Sequence, residues 1–227
     1  RSHMMAIGIQ HEEILPLDEN PKASASEQTY QLLKRLIIRL ELPPGAVLSE
    51  SFLIQRLNLG RTPLREALQR LAQDRLVVIL PRRGILISDI SIADLQSIFE
   101  VRADLEALCG RLATQRITDE QIEAMEKLFE GIESTGDVDE DVDIDQSFHR
   151  LLLKAAANPH LEDMLSRIHC LSLRLLYLSQ SRMTRVQEGY EDYRRVIQAL
   201  KTRDADAVQL ALREHVNAFY GKVRKTF

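Results

Sequence analysis

From residue 26 onward, the apolar positions of the chain follow a helical period. Four of them recur three or four positions apart, as on one face of a helix: Tyr30, Leu33, Ile37 and Leu40. Ser26 is the expected N-cap of this helix. The run of two prolines and a glycine at residues 43–45 ends it, because neither residue type continues a helix.

Two further helices are expected before residue 76. The second begins at residue 49 or 50 and ends at residue 57, and residues 58–60 form a tight turn. The third is capped by Thr62 or Arg61 and extends to about residue 75. The pattern therefore predicts three short helices in succession.

The period then changes to that of short strands. Residues 76–80 are apolar and rich in β-branched side chains, residues 81–84 contain turn formers, and residues 85–87 are apolar again. This pattern predicts a β-hairpin. Three helices followed by a hairpin is the element order of a winged helix-turn-helix, which we assign to residues 26–88.

After residue 88 the pattern is helical to the end of the chain. Ser91 is the expected cap of a helix that runs to about residue 115, and five more helical stretches follow: 118–131, 139–157, 159–179, 184–202 and 204–225. The predicted fold class is mainly α, with an all-α six-helix bundle over residues 89–227. Residues 1–25 are interpreted as a tag remnant and a flexible arm.

The charge distribution separates these two parts. Residues 28–88 carry ten Lys and Arg against four acidic residues, a net charge of +6, whereas the whole chain has a net charge of −4. A basic module on an acidic body suits a polyanion such as DNA. No apolar stretch approaches the roughly 20 residues that span a bilayer. We therefore expect a cytoplasmic protein with no membrane partner.

The third predicted helix carries side chains that can contact DNA. Arg61 and Arg65 are four residues apart on one face, and each guanidinium can donate two hydrogen bonds to guanine or hold a phosphate. Thr62 and the free N–H groups of the helix start suit a phosphate oxygen. At the hairpin turn, Arg83 precedes Gly84, which lets the backbone approach a groove closely. Together with the local charge, these features predict sequence-specific binding to double-stranded DNA.

The segment LNLGRTPLREALQRLAQDRL at residues 57–76 resembles the recognition segment of the GntR family of transcription regulators. LPPGAVLSE before it and PRRGILIS after it fit the same domain. The resemblance covers residues 26–88 and implies DNA contacts by Ser51, Arg61, Thr62, Arg65, Arg83 and Gly84. Because one such module covers only a half-site, we expect a homodimer on a palindromic operator. The chain departs from the family at Gly60, where Ser or Thr is usual, which removes one side-chain phosphate donor.

Three C-terminal segments resemble the FCD domain of the FadR subgroup, in its shorter VanR-like branch. They are IFEVRADLEALCGRLA from residue 98, DQSFHRLL from residue 145 and VIQALKTRDADAVQLALREHV from residue 196. The resemblance implies a helical bundle around a cavity that binds a small carboxylate effector. It also implies a non-enzymatic regulator, usually a repressor that the effector releases from DNA. Many members hold a divalent metal with one Asp and three His.

Part of that metal set is present in this chain. Asp145 and His149 are four residues apart on one helix among apolar neighbours, and His215 is similarly placed on the last helix. The third His of the family corresponds to Tyr193, whose phenol is a poor ligand unless the metal ionises it. Two versions stay open. One is a zinc or nickel ion with Tyr193 in the fourth protein position, and the other is a hydrogen-bond cluster in which Tyr193 donates to Asp145.

Two arginines are candidates for binding the effector. Arg102 matches an arginine that meets the effector's carboxylate in relatives, and Tyr193 is expected to line the same cavity. The alternative for Arg102 is an exposed helix charge near Glu100 or Glu106. Arg174 is surrounded by leucines in the sequence and is also expected to point inward.

Other interpretations of this domain remain open. A metalloenzyme could use the Asp and His residues to activate water, but no general base or nucleophile stands beside them in a known motif. A sensor of acyl-CoA or another apolar ligand is a further alternative, because loss of one His could free the cavity from metal. His160 and His169 are interpreted as structural.

Overall fold

The computed structural model describes residues 23–91, 93–130, 138–180 and 189–226 of the chain. Its contacts divide the chain into two units, Arg1–Ile90 and Ser91–Phe227. Residues 1–22, which make up most of the predicted arm, lie outside the described part of the chain. No helix in the described ranges is long and apolar enough to cross a membrane.

Three helices of the N-terminal unit confirm the predicted order. They are α1 (Ala25–Ile38), α2 (Glu50–Leu57) and α3 (Arg61–Gln73). One face of α3 is fully buried through Leu64, Leu68 and Leu71, and the helix packs against α1. Burial of a leucine side chain stabilises a fold by about 1.5–3 kcal/mol, so this face fixes which side of α3 remains exposed.

Two of the helix starts differ from the prediction. Ser24, not Ser26, caps α1, because its extended backbone lets its hydroxyl accept a backbone N–H of the first turn. The cap of α3 is Gly60 rather than Thr62 or Arg61, both of which lie inside the first helical turn. The α3 helix therefore begins without a side-chain hydrogen bond at its cap.

The predicted hairpin is part of a three-stranded antiparallel sheet. Its strands are β1 (Val47–Leu48), β2 (Val77–Leu80) and β3 (Gly84–Ile87), in the order β1-β3-β2. The sequence did not predict β1, because two residues are too few to show an alternating pattern. This strand comes just before α2 in the sequence, and it pairs Val47 with Leu86 of the hairpin.

Gly84 begins β3 at a place where only glycine fits. Its φ is +113°, a value that L side chains rarely adopt, and a Cβ there would lie 2.4 Å from the Leu48 carbonyl oxygen. The backbone that lies closest to Gly84 is therefore that of β1 in the same chain.

We expect Gly84→Ala to destabilise the N-terminal unit by about 1–3 kcal/mol, because the variant combines backbone strain with a clash against backbone. Urea unfolding of the full chain measures this change. The control is Gly221→Ala, where a Cβ meets no atom within 4 Å. An unfolding midpoint for Gly84→Ala equal to that of the wild type would contradict the assignment.

Six helices form the C-terminal unit within the described ranges, which confirms the predicted mainly α fold. They are α4 (Leu95–Arg116), α5 (Asp119–Lys127), α6 (Val138–Ala156), α7 (Pro159–Gln180), α8 (Gly189–Lys201) and α9 (Ala205–Arg224). The α4 helix begins later than the Ser91 cap predicts, with Asp94 at its N-cap. It packs against α6, α7 and α9, while α8 packs against α5 and α9.

Close packing between α4 and α9 depends on Gly110. A Cβ at this position would lie 2.4 Å from Leu212 Cδ1 and 2.6 Å from Val208 Cγ1. The surrounding core is apolar and includes the fully buried Phe148 and Val196. Polar side chains that enter this core must find partners there, and this requirement defines the candidate site.

Candidate functional site

The exposed face of α3 carries the arginines predicted to contact DNA. Arg61, Thr62 and Arg65 are all exposed. Arg65 Nε lies 3.0 Å from Glu50 Oε2, in an ion pair whose side chains are 60% and 37% exposed. An exposed pair of this kind contributes about 0–1 kcal/mol. Arg65 can therefore exchange Glu50 for a base or a phosphate at little cost.

The remaining predicted DNA contacts lie at the start of α2 and at the tip of the hairpin. Ser51 is exposed, with its Oγ 3.0 Å from Ser49 Oγ. Arg83 is exposed in the turn between β2 and β3, and Gly84 is partly buried. Apart from Gly84, every residue predicted to contact DNA thus has an exposed side chain.

Arg70 has an internal role in the same helix. Its guanidinium lies 3.9 Å from the centre of the Tyr30 ring and pairs with Glu27. The hydrogen bond from Arg70 lowers the pKa of Glu27. The Tyr30 hydroxyl donates to Asp74 at 2.5 Å. These contacts join α1 to the C-terminal half of α3 and fix the direction of that helix.

In the C-terminal unit, polar side chains from five helices meet inside the apolar bundle. They are Arg102 and Glu106 of α4, Asp145 and His149 of α6, His169 of α7, Tyr193 of α8 and His215 of α9. The four rings form a contiguous group, with centroid distances of 4.4 Å for His149–His169 and 4.7 Å for Tyr193–His215. The structure therefore brings together every residue of the predicted metal set.

Asp145 is the centre of this cluster. Its Oδ1 accepts a hydrogen bond from the Tyr193 hydroxyl, and its Oδ2 lies 2.7 Å from His169 Nε2. His149 Nδ1 lies 2.8 Å from the backbone oxygen of Asp145 and 3.4 Å from its Oδ1. The Tyr193 contact is the one expected in the hydrogen-bonded version of the site.

His169 is the residue that sequence analysis did not assign to this site. One donor atom from each of Asp145, His149 and His169 lies within 4.8 Å of the others, so the three could hold a metal ion. No local spacing could reveal this contact, because His169 is 24 residues beyond Asp145 on another helix. His160, also interpreted as structural, is exposed.

Burial controls the protonation of the cluster. It raises the pKa of Tyr193 well above its usual value, and the negative charge of Asp145 adds to the effect. Burial also lowers the pKa of His169 to about 4. For Asp145, burial opposes ionisation, but the neighbouring charges, with that of His149 first, and the hydrogen bond from His169 together outweigh it and hold the pKa well below its usual range. The site therefore contains a carboxylate, a neutral phenol and a neutral imidazole near pH 7.

Arg102 is buried with only 1% of its surface exposed, so the alternative of an exposed helix charge is wrong. Its Nε donates to Glu106 Oε1 at 2.6 Å, and the same oxygen lies 3.3 Å from His149 Nε2. The Oε2 of Glu106 has no hydrogen-bond partner among the described residues. Burial favours the neutral acid, but the charge of Arg102 lowers the pKa of Glu106. Sequence analysis named Glu106 only as a neighbour of an exposed Arg102, although the i+4 spacing of the two residues was visible.

Two other predicted residues, His215 and Arg174, are also buried. His215 Nδ1 lies 3.9 Å from Asp192 Oδ2, and its Nε2 has no hydrogen-bond partner in the described part of the chain. Arg174 on α7 is 1% exposed, as its leucine neighbours predict. The structure thus offers a buried imidazole nitrogen that is available to a ligand.

A small cavity of about 10 Å³ adjoins the cluster. It is lined by Glu106, Cys109, His149, Leu152, Leu153, Leu165 and His169. A space of this size holds one water molecule or ion. An organic acid would need the cavity to widen.

Comparisons with known proteins agree with both halves of the chain. Residues 97–218 match the FCD domain family, and residues 25–87 match the bacterial regulatory proteins of the gntR family. The transcriptional repressor RspR of Escherichia coli (strain K12) is 29% identical over 210 residues, which cover 91% of this chain and 92% of RspR. The gluconate operon transcriptional repressor of Bacillus licheniformis is 25% identical over 212 residues, 89% of this chain and 86% of that protein.

Solved structures share the fold. Escherichia coli McbR/YncC has a TM-score of 0.81 at 22% identity, covering 89% of this chain and 98% of the other. A GntR regulator from Rhodococcus sp. RHA1 has a TM-score of 0.69 at 20% identity, covering 90% and 100%. The FCD match alone extends over more than half of the chain, and the gntR match covers the helices and sheet of the N-terminal unit. The chain therefore belongs to the gntR family of bacterial regulatory proteins, as a DNA-binding regulator with a ligand-responsive C-terminal FCD domain.

Proposed function

We propose that this regulator is a cytoplasmic homodimer that represses transcription from a palindromic operator, and that a small carboxylate effector modulates its binding to DNA. Repression is proposed because RspR and the gluconate operon regulator, which are similar over most of their length, are named repressors. One observation carries the DNA-binding part. Arg61 and Arg65 are exposed at the start of α3, while the opposite face of that helix is buried.

The proposed DNA contacts fall into two groups. Arg61 and Arg65 contact base edges in the major groove, where a guanidinium can donate two hydrogen bonds to guanine. The other contacts position the module on the phosphate backbone and at the adjoining groove: Ser51, Thr62, Arg83 and Gly84. In this arrangement Arg65 leaves Glu50 when DNA binds.

One winged helix-turn-helix covers one half-site, so two linked copies gain affinity from binding together. We therefore expect a dimer in solution and two chains on each operator, with the dimer contact in the FCD domain. Sedimentation at micromolar protein, with and without operator DNA, measures both stoichiometries. A monomer that occupies the operator one chain at a time would exclude the proposed assembly.

The C-terminal cluster supports a divalent metal site, with zinc or nickel as the ion. Three residues fit as ligands: Asp145, His149 and His215. His149 Nδ1 lies 3.4 Å from Asp145 Oδ1, and His215 Nε2 is buried without a hydrogen-bond partner among the described residues. Three protein ligands leave an open position for an effector oxygen. When bound, the metal would supply positive charge that attracts an anion.

The effector site is proposed beside these ligands. Arg102 is proposed to hold a carboxylate of the effector, and Arg174 and Tyr193 are proposed to line the widened cavity. Because Glu106 already pairs with Arg102 at 2.6 Å, the effector must share or replace that partner. Such a change would couple ligand binding to the packing of α4.

A mobility-shift assay tests the proposed function. The probe is the DNA upstream of the chain's own gene, compared with random DNA of equal length. Organic acids that raise the melting temperature of the protein are then added at fixed protein concentration, and we expect them to release the upstream DNA. Equal affinity for the two DNAs would show that the upstream DNA contains no operator for this protein. A shift that no stabilising acid alters would rule out the effector's role.

A further inference from the structure

His169 lies inside the polar cluster but is not one of the three metal ligands proposed above. Its Nε2 is 2.7 Å from Asp145 Oδ2, and its ring centre is 4.4 Å from that of His149. Its side chain is 13% exposed, so it is largely shielded from water. Two nitrogen ligands and a carboxylate thus meet where α6 packs against α7.

Tyr193 is engaged in a different way. Its hydroxyl donates to Asp145 Oδ1, and a phenol that keeps its proton is not available as a ligand. The hydrogen bond instead holds the Asp145 carboxylate so that its other oxygen faces His169. Tyr193 on α8 therefore offers no imidazole to a metal, but His169 on α7 does.

We propose that His169 supplies the third imidazole of a divalent metal site, together with Asp145, His149 and His215, and that Tyr193 is a positioning residue for Asp145. This inference rests on the metal site of the proposed function. The ligand atoms of Asp145, His149 and His169 all lie within 4.8 Å of one another, a spacing that one bound ion can bridge. One carboxylate oxygen and three imidazole nitrogens suit zinc or nickel, and expansion to five-coordination keeps a position for the effector oxygen.

The test measures bound metal in the full chain. Wild type and variants are stripped with a chelator, loaded with zinc or nickel alone and freed from unbound ion, and metal per chain is determined by mass spectrometry. We expect one ion per wild-type chain. His169→Gln keeps a hydrogen-bond donor for Asp145 but should bind metal more than about 100-fold more weakly, because losing a ligand exceeds the roughly 10–100-fold cost of an outer-shell change.

Two variants separate ligation from structure. His160→Gln removes an exposed imidazole from the same helix and should leave metal binding unchanged. Tyr193→Phe should still load one ion, with a loss of affinity of no more than about 10–100-fold, as expected for a group that only orients a ligand. Far-ultraviolet circular dichroism verifies that each variant is folded.

Two results would overturn the inference: metal binding by His169→Gln as tight as in the wild type, or no metal in the wild type. A metal-free wild type that still shifts its upstream DNA would remove the metal site and leave the regulator intact. If His169→Gln does not fold, crystals of the nickel-loaded wild type decide. An anomalous peak bonded to His169 supports the site, and a peak bonded to His149 and His215 but distant from His169 overturns it.

Discussion

Arg65→Ala is expected to abolish most of the preference of this regulator for its operator. Loss of a guanidinium that donates two hydrogen bonds to a base costs about 1–3 kcal/mol. In the proposed two-fold dimer the loss occurs in both half-sites. The total is about 2–6 kcal/mol, or roughly 30-fold to 25,000-fold in Kd. The same reasoning applies to Arg61, which is exposed in the first turn of the same helix.

The measurement compares the variant on operator DNA and on random DNA at one salt concentration, since phosphate contacts weaken both alike. Arg111→Ala is the matched control, because it removes the same charge from an exposed position on α4 in the C-terminal unit. If Arg65→Ala lowers both affinities by the same factor, Arg65 holds only phosphate. The base-reading role would then be lost.

The ion pair between Arg65 and Glu50 contributes little to the stability of the free protein. Arg65→Ala can therefore weaken DNA binding strongly and still leave the fold almost as stable as in the wild type. Both side chains are well exposed, so water and salt screen their attraction. The position of α3 depends on buried side chains such as Leu64 and not on the Arg65–Glu50 pair. The contact with DNA therefore has only a weak internal competitor to displace.

Local pattern was sufficient to predict the helices of both units. The spacing of Leu64, Leu68 and Leu71 identifies the buried face of α3, and that face determines where Arg61 and Arg65 point. Strand β1 could not be predicted, because its two residues acquire their conformation only by pairing with β3. The cap of α3 was misplaced because Gly60 provides no side-chain signal.

The candidate site was only partly predictable, for a physical reason. Asp145 and His149 belong to one helix, so their spacing appears in the sequence. The contact of His169 with Asp145 exists only because α6 packs against α7, and no short-range spacing encodes it. Arg102 and Glu106 were visible as an i+4 pair, but their burial depends on the helices that cover α4.

That burial leads to the prediction with the largest effect on stability. We expect Arg102→Ala to destabilise the C-terminal unit by about 3–5 kcal/mol, because it leaves the Glu106 carboxylate buried without its charged partner. Both side chains are 1–2% exposed, so water cannot replace the lost contact. The variant also loses the packing of the aliphatic part of the arginine. Urea unfolding followed by circular dichroism measures the change.

A double variant separates the ion pair from the effector site. Arg102→Met with Glu106→Gln removes both charges, fills the space with an apolar chain and keeps a polar partner for His149 Nε2, which lies 3.3 Å from Glu106. Replacing a buried pair in this way is often neutral or stabilising, so we expect most of the lost stability to return. An Arg102→Ala protein within about 1 kcal/mol of the wild type would show that the pair is not desolvated as described. With the fold restored and both charges absent, loss of the response to the effector can be assigned to the Arg102–Glu106 pair. A normal response in the double variant would remove Arg102 from the effector site.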